Sequence, residues 1–329
     1  MIFLQFVPFI LIVVAANLGE SRPAWRLMTY LLLLGLDALL LVVALLAALV
    51  ALAERQGLLS AGGDVALLLG FAPNWADTAL SLAIIAVAAA LVLLPPIRRA
   101  CARVLPIRPD SPVHATALAG AIYFTGSTFA QLAFIGDISN LGNLQGVRIG
   151  HLEAWQQAMA LVMLAVLGVG TWTRRNLRAA LARLALRWPT PREFALAAGV
   201  IAGLLALDYL WSVGWHRLDP EGYARVAGIS KQLLGSLFNP LGAVTLGLSA
   251  GIGEETLFRG ALLPRFGLWL SSLLFMVVHV QYAFSPALVE VFIIGLVLGL
   301  VRLRANTTTC IVVHAAYNFL SVILAPLYP

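Results

Sequence analysis

Long apolar stretches recur along almost the whole of this chain and constrain its fold more than any other feature. A stretch of about 17 to 25 apolar residues is long enough to cross the hydrocarbon core of a bilayer as a helix. Such stretches follow one another with short polar breaks, and no soluble domain of any size fits in what remains. Only 11% of the 329 residues are charged, whereas soluble domains carry roughly 25%. The sequence therefore predicts an all-α, polytopic transmembrane helix bundle.

We predict about ten helices from the lengths of these stretches. Their expected ranges are about 1–18, 27–53, 77–94, 113–135, 152–172, 194–215, 237–263, 268–284, 286–303 and 307–324. The first stretch lacks the basic start and the small-residue cleavage pattern of a signal peptide, so we expect it to remain as a helix. Basic loops follow the odd-numbered helices. The positive-inside rule then places those loops in the cytoplasm and both termini outside.

The net charge of +6 is carried by twenty arginines and one lysine. These arginines lie in alternate loops and do not form one patch with interleaved aromatic residues, which favours membrane orientation over nucleic-acid binding. The most basic segment, 174–192, is typical of an amphipathic helix on anionic lipid or of a loop that sets topology. We take it as the end of an N-terminal five-helix region, 1–192, followed by a C-terminal region, 193–329, that carries the chemistry.

The strongest candidate for a site is the stretch GIGEETLFRGALLPR at 251–265, which places two carboxylates and an arginine in an apolar, glycine-rich run. Charged residues at bilayer depth are costly and normally face a bundle interior or a wet cavity. Helical neighbours are about 100° apart, whereas residues i and i+4 share a face. We therefore expect Glu255 to pair with Arg259, which leaves Glu254 to face a cavity. The alternative is one satisfied buried network of all three residues.

Two histidines in later apolar stretches are expected at a similar depth. His279 lies in the predicted eighth helix, and His314 lies in the tenth with Asn318 one turn later. A carboxylate and two imidazoles can activate water with Glu254 as the general base. They can also hold a divalent metal such as zinc, with Glu254, His279 and His314 as ligands. The residues by themselves leave both mechanisms open.

Close packing around this site is indicated by two pairs of glycines. Gly247 and Gly251 are four residues apart on one predicted helix, and Gly295 and Gly299 are four apart on another. Small residues at this spacing allow transmembrane helices to approach closely. We expect both pairs to lie at helix interfaces.

Three short motifs in this order resemble those of a known family. They are EExxxR (Glu254, Glu255, Arg259), FxxxH (Phe275, His279) and HxxxN (His314, Asn318), each in a predicted apolar helix. This pattern is similar to that of the CAAX prenyl protease type II and bacteriocin-processing intramembrane protease family. The resemblance covers about residues 237–324, and the first six predicted helices show nothing so specific.

The resemblance implies an intramembrane endopeptidase that acts on a membrane protein or peptide. It implies that Glu254 activates water with His279, and that Glu255 and Arg259 support the site. It also implies that His314 and Asn318 stabilise the oxyanion. Both metalloprotease and metal-free glutamate mechanisms have been proposed within the family. The HExxH zinc motif is absent from the sequence, which does not exclude a metal site assembled from separate helices.

Two other functions compete with proteolysis. The first is a non-proteolytic scaffold or immunity-type protein with the same fold. The second is a proton- or ion-coupled transporter, which would rest on Asp37, Asp208 and the buried glutamates. We rank the transporter lowest, because the sequence has no evident inverted repeat. The arginine-rich, lysine-poor composition hints at a bacterial plasma membrane, where a prenylated substrate is unexpected.

Overall fold

A computed structural model of the chain describes residues 2–60, 62–137, 140, 148–282 and 284–329. In chain order the α-helices, labelled α1 to α14, are Ile2–Gly19, Pro23–Arg55, Gly63–Leu69, Trp75–Val92, Pro95–Cys101, Pro112–Ile135, His151–Gly168, Leu177–Leu184, Pro191–Leu218, Pro220–Leu234, Pro240–Glu255, Leu263–Val277, Pro286–Arg304 and Thr307–Leu324. A π-helical segment, Thr256–Leu262, joins α11 to α12. The described residues form no β-strand, and the predicted all-α class is confirmed.

Seven helical stretches in the described chain are long and apolar enough to cross a membrane. They are Pro23–Arg55, Trp75–Val92, Pro112–Ile135, Pro191–Leu218, Pro240–Val277, Pro286–Arg304 and Thr307–Leu327. In the first of them only 17% of the apolar window is buried in the protein. So much exposed leucine and valine is compatible with a hydrocarbon solvent and not with water. The chain is a multi-pass membrane protein.

The predicted eighth helix, 268–284, is wrong at its C-terminal end. Gly267 interrupts the run between Pro240 and Val277 with φ 70° and ψ 178°, a conformation that glycine adopts without steric cost. The helix then stops at Val277, so that the ten residues after Gly267 rise only about 15 Å, half of a hydrocarbon core. Because Pro286 starts the next helix, the chain turns within 278–285. His279 therefore lies in a turn and not in a helix.

The helices form two compact units. The first comprises Met1–Leu18, Arg148–Met276 and Phe284–Pro329, and the second comprises the described residues of 19–147 and 277–283. These units are defined by contacts between residues, whereas the predicted division at residue 192 concerns function. That division stays a prediction. The basic segment before residue 192 belongs to the same compact unit as the C-terminal helices.

In the second unit, α2, α4 and α6 pack side by side. Asp37, the charge inside α2, is buried and accepts a hydrogen bond from the Tyr123 hydroxyl of α6, with 2.7 Å between the oxygens. This contact joins two neighbouring helices. It favours a structural role for Asp37 over a role in ion transport.

In the first unit, α11 packs against both α14 and α7. A Cβ atom on Gly247 would lie 2.5 Å from the carbonyl oxygen of Ala315 in α14, and one on Gly251 would lie 3.0 Å from that of Ile311. A side chain on Gly247 would clash with the facing backbone, and one on Gly251 would be tightly crowded by it. The predicted glycine interface is confirmed here, and it brings α14 directly onto the helix that carries the two glutamates.

Candidate active site

Glu255 is the last residue of α11 and is fully buried. The Nη1 of Arg259, also buried, donates to Glu255 Oε1 at 2.9 Å, as predicted from the i, i+4 spacing. The Nη2 of the same guanidinium donates to the carbonyl oxygen of Gly295 in α13 at 3.1 Å. Arg259 thus links the end of α11 to α13.

The arginine lies in the π-helical segment that begins directly after Glu255. Short π-helical insertions within α-helices are rare and are frequent at functional sites. The sequence does not reveal this segment, because an apolar run with one arginine has the same pattern in an α-helix. The wider turn nevertheless keeps Glu255 and Arg259 in contact.

His314 of α14 shares the same carboxylate oxygen. Its Nδ1 lies 2.8 Å from Glu255 Oε1, and its side chain is almost completely buried. Glu255 therefore has a second partner besides the predicted Arg259. The close approach of α14 to α11 at Gly247 and Gly251 brings this histidine to the face of Glu255.

Aromatic rings enclose this network on one side. The guanidinium carbon of Arg259 lies 4.2 Å from the centroid of the buried Phe275 ring. The same ring meets His314 edge to face at 5.9 Å and Phe258 at 5.4 Å. A cation over a ring face in a dry site gains about 2 kcal/mol. Phe275, the first residue of the FxxxH motif, therefore packs against the charged network.

Glu254 and Asn318 lie beside this network in the chain. Glu254 precedes Glu255 on α11 and is half-buried, on a side of the helix about 100° away. Asn318 follows His314 by one turn of α14, on the same face, and is also half-buried. The catalytic roles predicted for these two residues stay predictions.

His279 occupies the turn after α12. Its ring stacks on Tyr282, with centroids 6.2 Å apart and 7° between the planes, and its carbonyl oxygen accepts from the Tyr282 amide at 3.1 Å. Both residues belong to the second compact unit. The predicted cooperation of His279 with Glu254 also stays a prediction.

The divalent metal that the sequence left open, with Glu254, His279 and His314 as ligands, stays a prediction. Across the described residues, no group of three or more His, Cys, Asp or Glu side chains is arranged to hold a metal ion. The Nδ1 of His314 faces a carboxylate oxygen that also accepts from Arg259, which leaves Nε2 as the ring nitrogen able to ligate a metal.

The geometry fixes the chemistry of the His314 ring. A carboxylate oxygen paired with a guanidinium only accepts hydrogen bonds, so Nδ1 must carry a hydrogen and donate it to Glu255. The other ring nitrogen, Nε2, is the one left for a substrate. It donates a hydrogen bond if the imidazole is protonated and accepts one if it is neutral.

The fold and this network define a polytopic membrane protein with a buried carboxylate shared by a guanidinium and an imidazole. Residues 236–320 match the model of the family described as "Type II CAAX prenyl endopeptidase Rce1-like". The matched range contains all six predicted site residues. The resemblance predicted from the three motifs is confirmed over this segment, which is similar to the Rce1-like type II CAAX prenyl endopeptidases.

A curated relative matches a smaller part of the chain. A protein of Escherichia coli described as "Uncharacterized 24.3 kDa protein" is 36% identical over 73 residues, which are 19% of this chain and 34% of that protein. The match thus spans about a third of the relative's length. No solved structure matches the chain significantly.

Proposed function

We propose that this protein is an intramembrane endopeptidase that hydrolyses a peptide bond of a membrane-associated protein or peptide. The observation that carries the proposal is the buried network of Glu255, Arg259 and His314 within the segment that matches a peptidase family. Burying charges costs several kcal/mol per ion even when they are paired. Ionisable residues inside a membrane bundle mark functional sites by default.

In the proposed reaction, Glu254 is the general base. Its carboxylate takes a proton from a water molecule that His279 orients, and the water oxygen attacks the scissile carbonyl carbon. The carbonyl oxygen becomes an oxyanion in the tetrahedral intermediate. Glu254 then gives its proton to the amide nitrogen, the C–N bond breaks, and the products are a carboxylate and an amine.

The oxyanion is stabilised by Nε2 of His314 and the side-chain amide of Asn318 in this proposal. Since Nδ1 of His314 already donates to Glu255, a second donation from Nε2 requires the imidazolium form. Glu255 and Arg259 are thus positioning residues that orient His314 without touching the substrate.

The test is cleavage of the substrates that the protein processes. Membrane proteomes of cells that express the wild type or Glu254→Gln are compared to find uncleaved proteins, and a peptide from one of them is assayed with purified enzyme. We expect Glu254→Gln to lower the rate by about 10² to 10⁴ and His314→Ala by about 10² to 10³. His216→Ala, at the far end of α9, is the control and should retain the wild-type rate.

Folded, membrane-inserted Glu254→Gln protein that cleaves at the wild-type rate would end the proposal. If the biological phenotype persists in both Glu254→Gln and His314→Ala variants, a scaffold or immunity-type function replaces it.

Chelation tests the absence of a metal from this mechanism. Since the described residues offer no three-ligand group, we expect purified enzyme to keep its activity after dialysis against EDTA. A loss that zinc reverses would show that a metal carries the reaction.

A further inference from the structure

Arginine side chains from separate segments of the first unit gather around Arg183, near the end of α8. Its guanidinium donates to the carbonyl oxygens of Gly260 and Ala261 at 3.0 and 3.3 Å. Burial, together with the positive charges of Arg265, Arg175 and Arg302, lowers the pKa of Arg183 to about 10. Arg183 is therefore still a cation at neutral pH, in a place that disfavours cations.

Two of these charges, those of Arg183 and Arg302, lack a counterion among the described residues. Within the described parts of the chain, no carboxylate lies at ion-pair distance from Arg183 or Arg302. The buried Nε of Arg302 also has no hydrogen-bond partner there. The nearby Glu193 pairs with the exposed Arg187 instead. A buried donor or charge without a partner costs free energy, and a bound anion removes that cost.

The cluster lies where several helix ends meet. Arg302 is two residues from the end of α13. The next helix, α14, is tied to the end of α8, because the Thr307 amide donates to the carbonyl oxygen of Ala185 at 3.1 Å and its hydroxyl donates to that of Leu184 at 2.5 Å. The positive-inside rule assigns this end of the helices to the cytoplasm. Basic pockets between helix ends on that side are suited to anionic lipid headgroups.

Exposed apolar residues border α8 along the chain. Trp172 precedes it and is 74% exposed, and Trp188 follows it and is 87% exposed. Leu177, on α8 itself, is 51% exposed. Tryptophan and leucine on such a surface are typical of the membrane interface, where they contact acyl chains and headgroups. This border favours a lipid over a soluble anion.

We propose that Arg183 and Arg302, with Arg265 beside them, bind the phosphate group of an anionic phospholipid at the cytoplasmic surface. A guanidinium presents parallel N–H donors that match two phosphate oxygens, and its interaction with phosphate is charge-assisted. The partly buried position weakens competition from water and salt.

The experiment is native mass spectrometry of the full-length protein in detergent, titrated with dihexanoyl phosphatidylglycerol. Parallel titrations use dihexanoyl phosphatidylcholine, which is zwitterionic, and inorganic phosphate, which lacks acyl chains. Arg302→Gln is compared with Arg304→Gln, an exposed arginine two residues away on the same helix end. Arg183→Gln is compared with Arg178→Gln, exposed on the same short helix. Both members of each pair change the net charge equally.

We expect phosphatidylglycerol to bind at least about tenfold more tightly than phosphatidylcholine or phosphate. Arg302→Gln and Arg183→Gln should each weaken its binding by about tenfold, the size of one charge-assisted hydrogen bond. The two control variants should bind within about twofold of the wild type, since exposed charges contribute little. Thermal unfolding midpoints check that each variant is folded, and Arg302→Lys, which keeps the charge, should bind better than Arg302→Gln.

Equal weakening in Arg302→Gln and Arg304→Gln would overturn the site in favour of general surface attraction. Equal affinity for phosphatidylcholine would also overturn it. Phosphate that binds as tightly as phosphatidylglycerol would assign the cluster to a soluble anion. If Arg183→Gln does not fold, the Arg302 pair by itself decides the outcome.

Discussion

Replacing Arg259 with methionine should destabilise the protein by about 3 to 5 kcal/mol, the cost of leaving one member of a buried ion pair without its partner. Methionine keeps most of the apolar length of the side chain but removes the donors to Glu255 Oε1 and to the Gly295 carbonyl. It also removes the cation above Phe275. Glu255 Oε2 has no hydrogen-bond partner among the described residues, so His314 at Oε1 is the one contact left to this carboxylate there.

The assay is unfolding of purified protein in mixed micelles by titration with SDS, followed by tryptophan fluorescence. Glu255→Gln and the double variant complete a thermodynamic cycle. In the double variant, glutamine leaves no unpaired charge next to the methionine. The double variant should therefore lose less unfolding free energy than the two single variants lose together, by about 1 to 3 kcal/mol. Arg187→Met is the matched control. Its pair with Glu193 is as close, at 2.5 Å, but lies at the surface, and its loss should hardly move the unfolding midpoint.

Two results would refute this reasoning. If Arg259→Met shifts the midpoint no more than Arg187→Met, the buried network does not contribute to stability. If the losses of the two single variants add within about 0.5 kcal/mol in the double variant, Glu255 and Arg259 are not energetically coupled.

Two further predictions concern packing and the C-terminal residues. Gly247→Ala should destabilise the protein by at least about 1 to 3 kcal/mol, because its Cβ would lie 2.5 Å from the Ala315 carbonyl oxygen. Gly203→Ala is the control, because its Cβ would meet nothing within 4 Å. It should be neutral in the same SDS titration. Tyr328→Phe should cost about 1 kcal/mol, since the hydroxyl donates to Asp208 Oδ2 at 2.8 Å. Burial first, and then this bond, raise the pKa of Tyr328 above 10.0. The stabilisation by the Tyr328 hydroxyl is therefore fully present below pH 10 and is lost as the pH rises through the folded-state pKa. The stability difference between wild type and Tyr328→Phe should accordingly shrink above pH 10.

The pairing of Glu255 with Arg259 could be predicted from the sequence because it depends on local helix geometry. Residues i and i+4 share a face in any helix, and the contact survives the π-helical segment. The turn at His279 was not predictable in the same way. FMVVH reads as a continuous helix, and only the break at Gly267 and the early end at Val277 place the histidine outside it.

The third partner of the network also lay beyond the sequence. From the sequence, His314 could hydrogen-bond to either Glu254 or Glu255. No local pattern between residues 255 and 314 predicts which of the two it contacts. The choice depends on how far α14 approaches α11 and at what rotation, which Gly247, Gly251 and the residues opposite them determine. The convergence of Arg183 and Arg302 on one place has the same origin, since it depends on the docking of α8 against the start of α14.

The sequence by itself determined that this protein is an all-α bundle in a membrane, and it supplied the motif residues from which the candidate site is predicted. The length of an apolar stretch and the spacing of residues along a helix are local properties, which do not depend on how the helices pack. Only the tertiary structure decided that one buried carboxylate serves both an arginine and a histidine, and that two arginines share a place without a counterion. Those facts depend on distances between separate helices, which arise only when the helices pack.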